Sequence, residues 1–455
     1  MTTPFKDLPI SPETLQSLES HGYINAFPIQ EMVLPIALRG DDLIGQAKTG
    51  TGKTLGFGIP LIEHVQAPLD AGWENFGAKN LPQALVVVPT RELCIQVAKD
   101  LEEVSTHRGI RILAIYGGRP FEPQIEAIKE GVEVIVGTPG RLLDLYRQGH
   151  LPLKQVTRVV LDEADEMLDL GFLPDVEKIF ANTPARTQTM LFSATMPGDI
   201  ITLARKFMNQ PIHIRAQSVE DDGQVVKRIE QHVFRAHAMD KIEMVARILQ
   251  AQDRGATIIF CRTKRTAQNA ADELKERGFN TVSLHGDMGQ IAREKALADF
   301  KKGKADILVA TDVAARGIDI DGITHVINYQ APEDDKTYVH RIGRTARAGA
   351  HGIAVTFVDW DELPRWKMID EALGLNLGEP EETYSSSEHF YAALKIPADA
   401  RGRLNKKPAE KAPTSSPNKG RASTRPSTTA TKAERPQRPE RAKRERKRTK
   451  RITSS

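Results

Sequence analysis

Short apolar runs alternate with amphipathic stretches along most of this chain, and that alternation limits the folds open to it. The first set of runs is ALVVV at 84–88, RILAIY at 111–116, VEVIVG at 132–137, RVVLDEAD at 158–165 and TMLFSAT at 189–195. Helical patterns fall between them near 91–106, 122–130, 139–148, 172–181 and 198–207. Strand–helix alternation of this kind predicts an α/β fold, a parallel sheet with helices on both faces. Ahead of it, residues 1–40 read as a lead-in with a helix in SPETLQSLES, Ser11 as its N-cap and Pro12 in its first turn. Residues 209–228 lose the pattern and gather Pro211, Gly223 and polar residues, as an interdomain linker does. The alternation then resumes with IEQHVF at 229–234, ATIIF at 256–260, NTVSLH at 280–285, ADILVAT at 305–311, THVINY at 324–329 and IAVTFV at 353–358. The second half thus repeats the first. The expected domains are 1–208 and 229–372, followed by a short extension at 373–400 and a tail at 401–455.

A length of 455 residues agrees with more than one domain. No apolar run approaches the ~18 residues of a membrane span, and MTTPFKDLPI has no basic region followed by an apolar core, as a secretory signal would. The two cysteines, Cys94 and Cys261, sit in apolar patterns and read as reduced core residues of a cytoplasmic protein. The overall charge of +3 hides a division. Residues 401–455 carry 19 Lys/Arg against 4 Asp/Glu, a net of +15, which leaves −12 on the rest. The tail has no aromatic residue and is rich in Lys, Arg, Pro, Ser and Thr, so it is expected to be disordered. A basic tail on an acidic body points to a polyanionic partner bound electrostatically, without sequence preference.

The half that carries the first set of runs also carries AKTGTGKT at 47–54. Gly50 and Gly52 allow a tight turn, so that the N–H groups of the loop from Ala47 through Thr49 and Thr51 can face a phosphate chain. Lys53 supplies a mobile positive charge, and the Thr54 hydroxyl can ligate Mg²⁺. Ala47 stands where the usual pattern opens with glycine. Farther on, DEAD at 162–165 follows the apolar RVVL. An aspartate at a strand end, Asp162, suits a hold on Mg²⁺, directly or through water, and Glu163 is placed to polarise a water for in-line attack on a γ-phosphate. Phosphate loop, DEAD and SAT all follow apolar runs, so all can line one sheet edge, where ligands of such sheets bind.

With these motifs in place, the chain over about residues 1–370 resembles the DEAD-box RNA helicases of superfamily 2, in particular bacterial ones with a basic C-terminal extension. The resemblance implies two tandem RecA-like domains and an RNA-stimulated ATPase using ATP and Mg²⁺. FPIQ at 27–30 resembles the family's Q motif, with Gln30 reading the adenine edge and Phe5 stacking on the base; the family usually has Pro-Thr where this chain has Ala26-Phe27. SAT at 193–195 is similar to its coupling motif, with Ser193 and Thr195 bonding to the DEAD segment through Asp165. For the RNA side the resemblance implies Thr90 and Arg91 in PTREL, the pair Gly117-Gly118, and Thr138 and Arg141 in TPGR. In the second domain it implies Arg262, Gly286, Gln290, Arg293 and Thr311. Such contacts position a strand without reading its sequence. Thr90 and Thr138 have a plainer reading as helix N-caps. In ATDVAARGIDI at 310–320 Asp319 is implied near the ribose and Asp312 as the partner of Arg341. HRIGRTARAG at 340–349 brings Arg344 and Arg347 as arginine fingers across the cleft, His340 as a link to SAT or a core histidine, and Ala346 where the family usually has glycine.

The implied function is an ATP-dependent RNA helicase acting by local duplex unwinding or ribonucleoprotein remodelling. Two alternatives share parts of this pattern. A DNA-directed superfamily 2 motor shares the ATP chemistry, but the Q motif and the D-E-A-D ending argue against it. An RNA clamp or chaperone with a vestigial ATPase conflicts with intact Lys53, Glu163, Arg344 and Arg347. Ribosome assembly, RNA decay and cold adaptation are family expectations that the residues do not rank.

Overall fold

The computed structural model describes residues 3–404 apart from 48–50, 217–228, 316–319, 321 and 347–350. Of the basic tail expected at 401–455, all but residues 401–404 therefore lies outside the described residues.

Two seven-stranded, all-parallel sheets follow one another along the chain. The first contains β1 (Leu43–Gln46), β2 (Ala84–Val87), β3 (Ile112–Ile115), β4 (Val134–Gly137), β5 (Arg158–Leu161), β6 (Gln188–Ser193) and β7 (Ile212–Arg215). The second contains β8 (Ile229–Arg235), β9 (Ala256–Phe260), β10 (Thr281–Leu284), β11 (Ile307–Ala310), β12 (Ile323–Asn328), β13 (Gly352–Val358) and β14 (Glu381–Glu382). Their orders are β3-β4-β2-β5-β6-β1-β7 and β10-β11-β9-β12-β13-β8-β14, the same order with every strand number raised by seven. These are tandem parallel α/β lobes, as the alternation predicts, with the RecA-like architecture that the resemblance implies. The inner strands β2 and β4 are buried along their whole length, because helices cover both faces of the sheet and leave no polar side to alternate with.

Three stretches differ from expectation. Residues 212–215, read as linker, pair with β1 as an edge strand. Three of the four side chains of this IHIR are exposed, so no apolar run announces it. β1 carries no bulky run either: Gly45 is needed there because a Cβ on it would lie 2.5 Å from the ring of Phe192 on neighbouring β6. The extension after 373 is part of the second lobe. β14 adds an edge beside β8, and the helix Glu388–Ala393 packs Phe390 edge-on against Phe234 at 5.3 Å. The chain stays bound to this lobe through Gly402 O, which accepts from Arg277 at 2.7 Å, and through Leu404 N, which donates to Arg277 O at 2.9 Å.

Ser11 caps the helix Pro12–Ser20, with its hydroxyl accepting from Thr14 N. Cys94 and Cys261 are both buried free thiols, one in each lobe's core, and burial pushes the Cys261 thiol up to about 12.

Candidate active site

β6 lies between β5 and β1, so its carboxyl end is flanked by the end that leads into DEAD and the end that leads into the 47–54 loop. Hydrogen bonds join all three. Ala47 N donates to Ser193 O at 3.1 Å, and Asp165 N donates to Ser193 Oγ at 3.1 Å. Thr195 donates to Asp165 Oδ2 from both its N and its Oγ1, each at 2.8 Å. The coupling contacts implied for Ser193 and Thr195 are thus present as geometry.

Lys53 begins the helix Lys53–Glu63, and its Nζ meets Glu163 Oε1 at 2.8 Å with both side chains buried. Burial alone would depress the ammonium, but Glu163 and Asp162 outweigh it and hold the Lys53 pKa above its ordinary value. Glu163 has φ +54°, a left-handed backbone that is unusual outside glycine and aims its carboxylate back at the loop. Asp162 is 2% exposed, and burial pushes its carboxyl up to about 7, with Lys53 opposing and Glu163 adding to the rise. Its Oδ1 accepts from Glu163 N at 3.0 Å. A buried carboxyl so reluctant to ionise fits a cation brought to it, which would return it to the charged form. Among the described residues no three His, Cys, Asp or Glu side chains form a cluster able to hold a metal. Mg²⁺ at Asp162 and the half-buried Thr54 would therefore need phosphate and water oxygens to complete its shell, as that ion commonly does.

Gln30 is fully buried. Its Nε2 donates to Gly52 O at 2.7 Å and its Oε1 accepts from Phe27 N at 2.8 Å. One N–H and one lone pair of the amide remain, but the side chain is as buried as Phe5, so pairing with adenine requires the lead-in to shift. The structure corrects the base-stacking role expected of Phe5. Its ring is 1% exposed within the first lobe's core and offers no free face. The exposed aromatic at the loop is Phe27. Thr49, Gly50, Asp319 and Arg347 lie outside the described residues.

The expected RNA-facing residues follow strand ends of both lobes. Thr90 follows β2 and caps the helix Arg91–Val104, accepting from Leu93 N at 3.3 Å, so the plainer reading describes its hydroxyl. Thr138 precedes the helix Pro139–Arg147 without a side-chain cap. Arg91 packs on the glycine pair: a Cβ at Gly118, whose φ is +83°, would lie 2.3 Å from Arg91 Nη1. Arg141 lies 3.9 Å from the centroid of the Phe121 ring and donates to Arg119 O at 3.0 Å. In the second lobe Arg262 follows β9, the exposed Gly286 follows β10 and Thr311 follows β11. Buried donors without a hydrogen-bond partner remain on Arg141 (Nη1), Arg262 (Nε) and Arg293 (Nε).

The two lobes meet along this face. Arg91 Nη1 donates to Gln290 Oε1 at 3.1 Å, Arg293 reaches Glu92 at 3.0 Å, and Glu294 takes both Arg119 and the Tyr116 hydroxyl. Arg341 is 1% exposed and holds Asp312 in a fork, Nε to Oδ1 at 2.6 Å and Nη2 to Oδ2 at 2.7 Å, so the implied pairing is present. His340, on the helix Asp335–Ile342, is exposed and is no core histidine. Arg344 lies just beyond that helix, partly buried. The sequence reading missed Glu92, Tyr116, Arg119, Glu294 and Glu362, the last of which binds Arg262. Each acts on a residue far away along the chain; Glu92 lies within PTREL, and no local motif marks the other four.

Comparison with known proteins agrees with this architecture. Residues 27–203 match the DEAD/DEAH box helicase family, and residues 240–349 match the helicase conserved C-terminal domain. The chain is 46% identical over 370 residues to the DEAD-box ATP-dependent RNA helicase CshA of Geobacillus kaustophilus, covering 81% of this chain and 76% of that protein. It is 42% identical over 394 residues to the ATP-dependent RNA helicase CshA of Listeria monocytogenes, covering 87% and 73%. Among solved structures, S. cerevisiae Dbp5 bound to RNA and ADP BeF3 superposes with a TM-score of 0.72 at 30% identity, covering 86% of this chain and 99% of that one. Mss116p bound to ssRNA and AMP-PNP gives 0.72 at 27% identity, covering 87% and 82%. The chain belongs to the DEAD-box ATP-dependent RNA helicases.

Proposed function

We propose that this chain hydrolyses ATP between its two lobes and uses the cycle to open short RNA duplexes or remodel RNA–protein complexes. The buried Lys53–Glu163 pair beside Asp162 carries the reading. Without nucleotide the ammonium rests on the carboxylate. When a triphosphate takes Lys53, Glu163 is released to accept a proton from the attacking water. The N–H groups of the 47–54 loop bind the phosphates. Thr54 and Asp162 would hold Mg²⁺, which would supply charge neutralisation for the phosphates. Gln30 pairs the adenine edge, and Asp319 meets the ribose. Arg344 and Arg347 bring positive charge from the second lobe to the γ-phosphate, so turnover requires closure. Asp165, held by Ser193 and Thr195, ties the state of the loop to the lobe face where RNA binds.

RNA phosphates are the ligands for Arg91, Arg141, Arg262 and Arg293, with Thr90, Gly117, Gly118, Thr138, Gly286, Gln290 and Thr311 completing the track. They would satisfy the buried guanidinium donors and replace the interlobe contact of Arg91 with Gln290. None of these groups reads bases, so target choice falls to other elements. The basic segment from 405 on supplies general affinity for structured RNA in a cytoplasmic ribosomal or RNA-decay complex.

Glu163→Gln tests the central assignment. It should abolish RNA-stimulated ATP turnover while ATP-dependent binding of single-stranded RNA persists. Turnover at the wild-type rate would remove Glu163 from its role as base.

A further inference from the structure

One buried side chain ties together the carboxyl ends of three neighbouring strands of the second lobe. β9, β12 and β13 lie side by side in the sheet. Glu362 ends the short 3-10 helix Trp360–Glu362 that follows β13, and it is 3% exposed. Its Oε2 accepts from Asp359 N, just past β13, at 3.1 Å and from Ala331 N, past β12, at 3.3 Å. Its Oε1 accepts from Nη2 of Arg262, which follows β9.

The two oxygens have different tasks. A capping role accounts for the bond from Asp359 N, and Oε2 alone fulfils it. Oε1 faces the guanidinium. Two backbone N–H groups from separate segments hold Oε2, so the carboxylate cannot swing and the bond it offers Arg262 has a fixed direction. Arg262 Nη2 also donates to Ala331 O at 3.4 Å, so both hydrogens of that nitrogen are engaged. Other cations surround the carboxylate. Lys241, 1% exposed, meets Asp359 at 2.6 Å and approaches Glu362 Oε2 at 3.9 Å, and Arg365 Nη1 lies 3.8 Å from Oε1. Lys241, Arg262 and Arg365 set against Asp359 and Glu362 leave one positive charge in excess.

We propose that Glu362 is a positioning residue for RNA binding, holding the Arg262 guanidinium in one plane at the end of β9 with that excess charge available to a backbone phosphate. This rests on Arg262 being an RNA ligand. The Arg262 side chain is 27% exposed, and a long side chain so placed would lose rotamer freedom on meeting a phosphate. Glu362 removes that freedom within the fold, so less is lost on binding. Glutamine cannot do the same. Its NH2 would face either Arg262 or the two backbone N–H groups, donor against donor.

The experiment measures ATPase activity of the full chain against the concentration of polyuridylate. Glu362→Gln should raise the RNA concentration for half-maximal stimulation about tenfold while kcat at saturating RNA stays within about twofold of wild type. Arg262→Gln should raise it likewise, and the double variant should need no more RNA than Arg262→Gln alone, because Glu362 acts through Arg262. Losses that multiply in the double variant would overturn the proposal. So would a half-maximal concentration for Glu362→Gln within about twofold of wild type. Arg262→Lys leaves the buried carboxylate untouched and serves if Glu362→Gln folds poorly. Its ammonium keeps the charge but has no plane to fix, so it should need about as much RNA as Arg262→Gln. Recovery by Arg262→Lys to within about twofold of wild type would show that charge alone suffices and overturn the positioning role. If Arg262→Gln itself left the RNA requirement unchanged, the reading of Arg262 as an RNA ligand would fall and take this role with it.

Discussion

Asp312→Ala should destabilise the second lobe more than most single substitutions outside the hydrophobic core. Arg341 is 1% exposed, and its fork to Asp312 has bonds of 2.6 and 2.7 Å. Arg341 Nη1 is also held, by Asn328 Oδ1 at 3.2 Å and Gln330 O at 3.0 Å, so removal of Asp312 strips the charge partner and leaves the guanidinium buried. Breaking such a pair from one side costs about 3–5 kcal/mol. The Asp312 side chain is 25% exposed, and water entering from that side would soften the loss, which places the expectation near the lower end, about 3 kcal/mol. For a lobe of this size each kcal/mol moves the melting temperature by roughly 2–4 °C, so the second-lobe transition should fall by roughly 6–12 °C. Scanning calorimetry of the full chain would resolve it, with the first-lobe transition unmoved. Arg344 lies immediately past the helix that bears Arg341, so RNA-stimulated kcat should fall more than ATP affinity. The partner test is Asp312→Leu with Arg341→Met, which removes both charges and should recover most of the stability. A melting temperature for Asp312→Ala within about 2 °C of wild type would refute this account of the pair.

Other outcomes follow from single contacts. Thr90→Ala should cost about 1 kcal/mol in chemical denaturation through loss of the helix cap, and Thr90→Ser should restore it; if Thr90→Ala leaves stability unchanged yet weakens RNA binding, and Thr90→Ser restores that binding, the hydroxyl serves RNA and not the helix. Gly118→Ala places a methyl against Arg91 at a left-handed backbone position, so the RNA concentration for half-maximal ATPase stimulation should rise about tenfold while ATPase activity without RNA stays unchanged. Burial, with Arg254 adding to it, pushes His325 down to about 4. The unfolded chain then takes up a proton near pH 6.5 that the folded protein refuses, so second-lobe stability is full above that pH. It should decline as pH falls from 6.5 to 4, by about 3 kcal/mol in all, and His325→Gln should flatten the slope. Truncation after Leu404 should lessen the salt dependence of RNA binding and leave RNA-stimulated ATPase activity intact, whereas truncation after Ala400 should also lower the second-lobe melting temperature by removing the Gly402 contact to Arg277.

Much of this protein is legible residue by residue, because its chemistry is local. A phosphate loop needs its glycines, lysine and threonine within eight positions, and DEAD and SAT each sit at the end of their own strand. The inner strands are equally plain, since a strand covered on both faces must be apolar throughout. The edge strands β7 and β14 escape notice because one side of each has no neighbour and water accepts polar side chains there. Only the tertiary structure decides which groups meet across the chain beyond those motifs: Arg91 with Gln290 199 positions on, Arg293 with Glu92, Arg262 with Glu362. It also decides which of two phenylalanines is free to touch a ligand. Phe5 and Phe27 are the same residue type in the same lead-in, but one packs into the core and the other remains against Gly52, because burial depends on the packing of distant elements and is written in neither side chain.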